Sequence, residues 1–382
     1  MNPILTALAP LPPSIWIRRP SPQLPFPLED PGCRLFSRGR HGLFQALRSS
    51  GLRADDEVLV PAYHHGSDIE AHVRAGLRCR FYDATETLEP AENELHRLLG
   101  RRTRALHLTH YLGFPQNAPR WRAWCDENGL LLIEDAAQAW LAEQDGRSVG
   151  NDADIAIYCL YKTFGLPDGA ALFSRIPVPP SATRRRLGAG AIGFDHALWM
   201  TSRSPLLSRL AQRLHRRRSY SADRDFALGD PASAPSLATL LALPRLAHAG
   251  AAERRRRNYE ALLRALGDHV PPAFRELPPG ASPFVFPVVS YDKTALLKHL
   301  RARGIRALDL WSTPHPALPA ADYPMARTLR TTVVGLPVHQ ELRDEDLTRI
   351  VTTARESLGR SLGSANHPRV IARARRSSPS VE

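Results

Sequence analysis

Two residues stand out by type and by place. Asp135 closes the run Leu130-Leu131-Leu132-Ile133-Glu134-Asp135 and is followed by Ala136, Ala137 and Gln138. Lys162 comes just after Ile155-Ala156-Ile157-Tyr158-Cys159 and leads into Gly165-Leu166-Pro167-Asp168-Gly169. Both apolar runs have the length of buried strands, and in a parallel α/β sheet ligands bind just beyond the carboxyl ends of strands. Asp135 therefore marks a site or, equally, caps the start of a following helix, where Asp is favoured. A lysine at such a strand end is desolvated, paired or functional. Burial disfavours its ammonium, and a neutral amine in a pocket is a nucleophile for a carbonyl carbon. The alternative is a stem that snorkels to solvent. The lysine count favours chemistry: of 51 basic residues only Lys162, Lys293 and Lys298 are lysine. Arginine, always protonated, cannot replace an amine that has to lose its proton. Lys293 and Lys298 fit a solvent-facing helix.

An acid after one strand and a lysine 27 positions later after another suit pyridoxal 5'-phosphate. That cofactor needs a lysine to hold its aldehyde as an imine and an acid to keep its pyridine nitrogen protonated, so that the ring can accept electrons. Neither G-x-G-x-x-G nor a Walker A loop occurs, which weighs against nicotinamide and nucleoside triphosphate chemistry. The 15 histidines show no H-x-x-x-H and no Cys/His cluster of zinc spacing, so no metal is expected.

The elements that must position these residues follow an alternating pattern. Residues 1–38 carry nine prolines and read as an extended arm, without a long helix or a central strand. From Gly39 to about Ser174, short apolar runs (57–61, 78–82, 103–108, 130–133, 155–158) alternate with helical stretches (41–50, 67–76), the pattern of an α/β domain with a largely parallel sheet. Residues 177–225 break this rhythm with ten arginines against three aspartates. A smaller α+β domain follows, with a helix containing Arg254 to Arg257, a strand over 283–289 and helices over 294–303 and 344–358. The expected domains are thus 1–38 (arm), 39–236 (large, with 177–225 inserted), 237–363 (small) and 364–382, a basic tail expected to be disordered.

The chain has 382 residues and a net charge of +13. The insertion and the tail supply ten of those charges, so the excess lies outside the α/β core. No aromatic-interleaved basic face or nucleic-acid reading module accompanies it, and nucleic acid is not the expected partner. No apolar run approaches the roughly 18 residues of a membrane span, no secretory signal opens the chain, and the four cysteines form no CxxC pair. A reducing cytoplasm is the expected setting.

From about Phe36 to Gly359 the sequence resembles the DegT/DnrJ/StrS aminotransferases, sugar-type members of fold type I of the pyridoxal phosphate enzymes. The resemblance rests on the order and spacing of Gly39-Arg40-His41-Gly42-Leu43, Asp56 to His64, Thr103-Arg104-Ala105, His110-Tyr111-Leu112-Gly113, Ile133 to Gln138, Gly146 to Gly150 and Leu336-Pro337-Val338-His339. It implies that Lys162 holds the cofactor aldehyde, Asp135 binds the pyridine nitrogen, Gln138 contacts the phenolic oxygen and His65 takes the place of the aromatic residue that stacks on the ring. It also implies a homodimer, an amino acid donor such as glutamate or glutamine, and a nucleotide-linked keto-sugar as acceptor. The family's Gly-Thr pair is here Gly39-Arg40. Its phosphate-binding serine is Cys159, with two fewer residues before the lysine. A thiol donates hydrogen bonds poorly, and Arg40 near a helix start is a phosphate partner or a solvent-facing arginine. The asparagine lent by a neighbouring subunit has no match near Ala222 to Asp230. Trp311 and His315 lie where the small domain approaches the site. Competing readings are a family relative acting on a non-sugar or carrier-bound ketone or with other chemistry, and a degenerate non-catalytic or nucleic-acid-binding chain.

Overall fold

The computed structural model describes residues 3–182, 187–204, 206–207, 226–248, 250–321 and 323–363. The tail 364–382 and most of the arginines of 177–225 lie outside the described residues, as does the segment 222–225.

The strands are β1 (Leu5–Thr6), β2 (Cys33–Phe36), β3 (Glu57–Pro61), β4 (Arg78–Tyr82), β5 (Thr103–Thr109), β6 (Leu131–Asp135), β7 (Glu143–Gln144), β8 (Arg147–Ser148), β9 (Ile155–Cys159), β10 (Ala170–Ser174), β11 (Phe286–Val289), β12 (Ile305–Arg306), β13 (Leu308–Asp309) and β14 (Val333–Leu336). Seven form the main sheet in the order β2-β10-β9-β6-β5-β3-β4. Strands β3, β4, β5, β6 and β9 run parallel, and β10 is antiparallel to both β9 and β2. Their unbroken apolar composition follows from cover on both faces: Val58, Leu59, Val60, Leu132 and Ile133 are fully buried. The helices α1 (Gly39–Ser49) and α2 (Ser67–Arg74) pack on each other, while α3 (Glu92–Leu98) lies against β4 and α4 (Ala118–Asn128) against β5 and β6. Leu43 and Leu47, one turn apart, seat α1. Trp121 and Trp124 fill the α4 side.

The small domain is an antiparallel sheet, β11-β14-β13, with helices Gly250–Leu266, Lys293–Ala302 and Asp344–Gly363 packed about it. The proline-rich start of the chain adds β1, which pairs in parallel with β12 of this domain, and β2, the edge strand of the large sheet. Within 177–225 the described residues include a helix, α6 (Ala189–Thr201), whose His196 bonds Trp16 and the Leu11 carbonyl of the N-terminal segment. Lys298 is exposed, but Lys293 is buried, pairs with Asp309 at 2.6 Å and donates to the Arg330 carbonyl at 2.7 Å. The solvent-facing reading fails for Lys293 because the first residue of its helix points back at β13, where Asp309 supplies the countercharge.

Candidate active site

The carboxyl ends of β3, β5, β6 and β9 open into one cavity of about 900 Å³, closed on the far side by the small domain from Leu297 to Thr313. Lys162, Asp135, Gln138, His65, Gly39, Arg40 and Cys159 all line it. The tertiary structure therefore brings together every residue placed at the cofactor by sequence. Trp311 lines the cavity as well. His315 instead bonds the Glu70 carboxylate at 3.0 Å and lies against Phe226.

Lys162 stands on the single helical turn α5 (Leu160–Thr163) that breaks β9. Two groups from the small domain lock this turn through the Thr163 carbonyl. Arg255 donates to it at 2.6 Å and Gln340 at 3.1 Å. Burial pushes the Lys162 ammonium down, as expected of a strand-end lysine, but Cys159, Tyr161, Asp135 and Asp68 outweigh it and hold the ammonium above its ordinary value. The expectation of a depressed amine is thus corrected, because the carboxylates of Asp135 and Asp68, from other elements, add to the effect of the adjacent Cys159 and Tyr161.

Asp135 ends β6. Its Oδ1 accepts from the Ala137 amide at 2.8 Å, and a turn rather than a helix follows, so it caps no helix. Burial first, and the nearby Asp68 second, raise its carboxyl above the ordinary range. A buried acid in that state is stabilised by a cationic partner, and a protonated pyridine nitrogen is one. Gln138 is buried, with Oε1 accepting from the Leu112 amide at 2.9 Å, which fixes the side chain over the sheet edge.

His65 meets Phe226 and Trp311 edge-on, at 6.0 and 6.5 Å between ring centres. Burial, then the Lys162 ammonium, lower its pKa to about 4, so the ring is neutral at pH 7. Gly66, at φ 104°, lets the chain turn beneath Phe226; a Cβ there would lie 2.6 Å from that ring. Trp311 has φ 59°, a left-handed conformation that is strained for a bulky residue. It is held by a tilted contact with the Tyr63 ring (4.7 Å between centres) and by Arg330, whose Nη1 donates to the Trp311 carbonyl at 2.6 Å while Nη2 donates to the Ala62 carbonyl at 2.7 Å.

Gly39 opens α1, an eleven-residue helix whose free amides favour an anion. A Cβ on Gly39 would sit 3.0 Å from the Cys159 sulfur, so glycine keeps this corner open. Arg40, in the first turn, donates to the Ala227 carbonyl at 2.8 Å while lining the cavity. A corner of helix amides, a guanidinium and a thiol fits a phosphate.

Three residues of the site were not foreseen. Asp68 lines the cavity beside Asp135, and Arg255 and Arg330 tie the small domain to the two site loops. Asp68 carried a signal, being an acid three residues beyond His65 at the same strand end. Arg255 and Arg330 carried none, since nothing local distinguishes them among 48 arginines.

A parallel sheet with one reversed strand, a lysine on the turn after β9 and a carboxylate at the end of β6 define a pyridoxal phosphate enzyme of fold type I. The DegT/DnrJ/EryC1/StrS aminotransferase family pattern matches residues 33–175. The chain is 26% identical over 341 residues to the UDP-N-acetyl-3-dehydro-alpha-D-glucosamine 3-aminotransferase of Acidithiobacillus ferrooxidans, covering 86% of this chain and 84% of that one. Among solved structures it superposes on the Helicobacter pylori aminotransferase PseC with a TM-score of 0.66 at 17% identity, covering 86% and 87% of the two chains. The aminotransferase TlmJ from Streptoalloteichus hindustanus gives a TM-score of 0.64 at 22% identity, with 86% of each chain covered. The chain is thus similar to the DegT/DnrJ/EryC1/StrS aminotransferases, which are pyridoxal phosphate enzymes, over residues 33–175 by the family pattern and over most of its length by single relatives.

Proposed function

We propose that the chain moves an amino group from glutamate or glutamine to the keto carbon of a nucleotide-linked sugar, working as a cytoplasmic homodimer. The observation that carries the acceptor class is the cavity itself. Lys162 and Asp135 lie on its sheet wall, and Arg301 and Arg306 line the opposite, small-domain wall. Burial, then the like charge of Arg301, push Arg306 below its ordinary pKa, a pair that gains from an anion such as a diphosphate. The A. ferrooxidans relative is named for a UDP-linked amino sugar, which agrees with that class. Four free cysteines suit a reducing compartment, and among the described residues no helix is long and apolar enough to cross a membrane.

When bound, the cofactor's protonated ring supplies an electron sink for the bond broken at the substrate carbon. Asp135 holds the ring nitrogen, Gln138 the phenolic oxygen, and His65 covers a ring face. Gly39, Arg40 and Cys159 surround the phosphate. Lys162 would hold the aldehyde carbon. Its Nζ, kept in the cavity by the locked α5 turn, would also be the group placed to hold and move a proton at the reacting carbon.

The test uses the purified chain. Pyridoxal phosphate should give a visible absorbance band that is absent in Lys162→Ala. Glutamate or glutamine should bleach it with release of one keto acid per site, and a UDP- or dTDP-linked keto-sugar should restore it. A colourless protein, or a band that no amino acid bleaches, would sink the reading. Restoration by a carrier-bound ketone and by no keto-sugar would move the acceptor to the competing class.

A further inference from the structure

Asp68 has no task in the scheme above. It lies in the first turn of α2, is buried, and lines the cavity with Asp135. Its Oδ1 accepts from the Gly66 amide at 3.2 Å, and its Oδ2 lies 3.8 Å from His107 Nε2. On the far side of that ring, His107 Nδ1 shares a 3.0 Å hydrogen bond with His72 Nε2. The sequence places these groups with economy. His72 follows Asp68 by four residues on one face of α2, and His107 lies two residues before Thr109, the β5 neighbour of Asp135, so His107 and Asp135 share a face of the sheet. One carboxylate oxygen from each of Asp68 and Asp135 and one nitrogen of His107 lie within 4.8 Å of one another. His107 Nε2 is buried and has no hydrogen-bond partner among the described residues.

Two carboxylates this close and this buried are both ionised only beside a cation. The groups facing Asp68 are His64 and His65 from the loop after β3, His72 from α2, Cys79 from β4, His107 from β5, Asp135 from β6 and Lys162 from α5. Tyr82 and Tyr111 also feel its charge. Burial lowers His64 to about 4 and His72 to about 3, which leaves both neutral at pH 7. Lys162 is the remaining strong cation, and it is spent as an amine once it holds the cofactor. Of the two acids, Asp68 is the lowered one, against its burial and with the Gly66 amide as a donor, whereas burial and the neighbouring Asp68 raise Asp135.

We propose that Asp68 is a second carboxylate at the cofactor's pyridine nitrogen: aligned by the His72–His107 pair, it acts through Asp135 as a positioning residue whose added charge keeps the ring nitrogen protonated. This rests on the placement of Asp135 at that nitrogen. A merely structural Asp68 would affect folding, whereas a positioning one moves the ring's proton.

The experiment loads wild type, Asp68→Asn and Asp135→Asn with pyridoxal phosphate carrying a ¹⁵N label in the ring. It follows the ¹⁵N shift, the cofactor Kd and the pH midpoint of the visible band. In wild type the ring nitrogen should stay protonated through the neutral range. In Asp68→Asn it should lose the proton within that range, with the midpoint lowered by about one unit and Kd raised about tenfold. Should Asp68→Asn fail to fold, Asp68→Ser, which keeps an oxygen for the Gly66 amide, carries the same expectation. A wild-type nitrogen found unprotonated overturns the inference outright. Variants at Asp68 that match wild type, while Asp135→Asn shifts every readout, overturn it alone; if Asp135→Asn also changes nothing, the placement of Asp135 falls with it.

Discussion

His65 is where a family role meets an unusual residue type. Held neutral by burial and by the Lys162 charge, the imidazole presents an aromatic face without a positive charge that would repel the cofactor's cationic nitrogen. His65→Phe should therefore keep the cofactor Kd within a few-fold of wild type. His65→Ala should raise it about tenfold, a loss of stacking worth about 1.4 kcal/mol, as read by titration of the visible band. A Phe variant as weak as Ala would show that the imidazole acts through its nitrogens, one of which already meets the Ser67 hydroxyl at 3.2 Å. Lys162→Arg should be as inactive as Lys162→Ala, with turnover down by about 10²–10⁴-fold or more, because a guanidinium neither forms the covalent link nor carries the proton.

At the scale of elements, the four-residue α5 is too short to hold itself and is positioned from outside. Arg255 is fully buried and gives hydrogen bonds to Thr163, Pro283 and Gln340, and burial draws its pKa down to about 9. Arg255→Met should cost about 2–4 kcal/mol in urea denaturation and raise the cofactor Kd, because the Pro283 carbonyl and Gln340 lose their donor and the Lys162 turn keeps only the Gln340 bond to Thr163. Much of this level was legible in sequence. The strands 57–61 and 78–82 are found at their expected limits and the helices 41–50, 67–76 and 294–303 within one or two residues, while the last helix, expected over 344–358, runs on to Gly363. Arg255 was not legible, since four consecutive arginines look alike until one is seen to enter the domain interface. Lys293 misled for the same reason: helical spacing identifies a face, and only packing shows what covers it. Asp68 was legible as an acid at a strand end, but its two histidines reach it from residue 72 of one element and residue 107 of another.

Across the whole molecule, the N-terminal segment fastens the two domains. β1 joins the small-domain strand β12, and the backbone at Ala9 to Leu11 lies so close over Gly165 that no side chain fits there. His339 secures this segment, with Nε2–H donating to the Thr6 carbonyl at 3.0 Å and Nδ1 accepting from the Glu341 amide at 3.2 Å, an arrangement open only to the neutral ring. Burial, then the Arg255 charge, hold its pKa near 3, against 6.5 for a free imidazole. The unfolded chain therefore takes up the proton first. The stabilisation is complete above about pH 6.5 and is lost as pH falls toward 3, by up to about 1.4 kcal/mol per pH unit from this ring. Thermal melts of wild type should decline below pH 6.5, and in His339→Gln, which keeps an amide donor for Thr6, the decline should be shallower. Equal slopes would assign the acid loss to the other buried histidines. The +13 net charge bears on none of this, as its main sources lie in the insertion and the tail.

The sequence by itself determined the alternation that makes the parallel sheet, and with it the two strand ends that carry Asp135 and Lys162. Periodicity and strand-end position are local properties, and a family resemblance needs only order and spacing. The tertiary structure alone decided the charge of the site. It turned Lys162 toward two carboxylates from other elements, set Asp68 against Asp135, and brought Arg255 and Arg330 across the domain boundary. Those interactions depend on the distance between residues remote in the chain and on their removal from water, and neither is written in any local pattern.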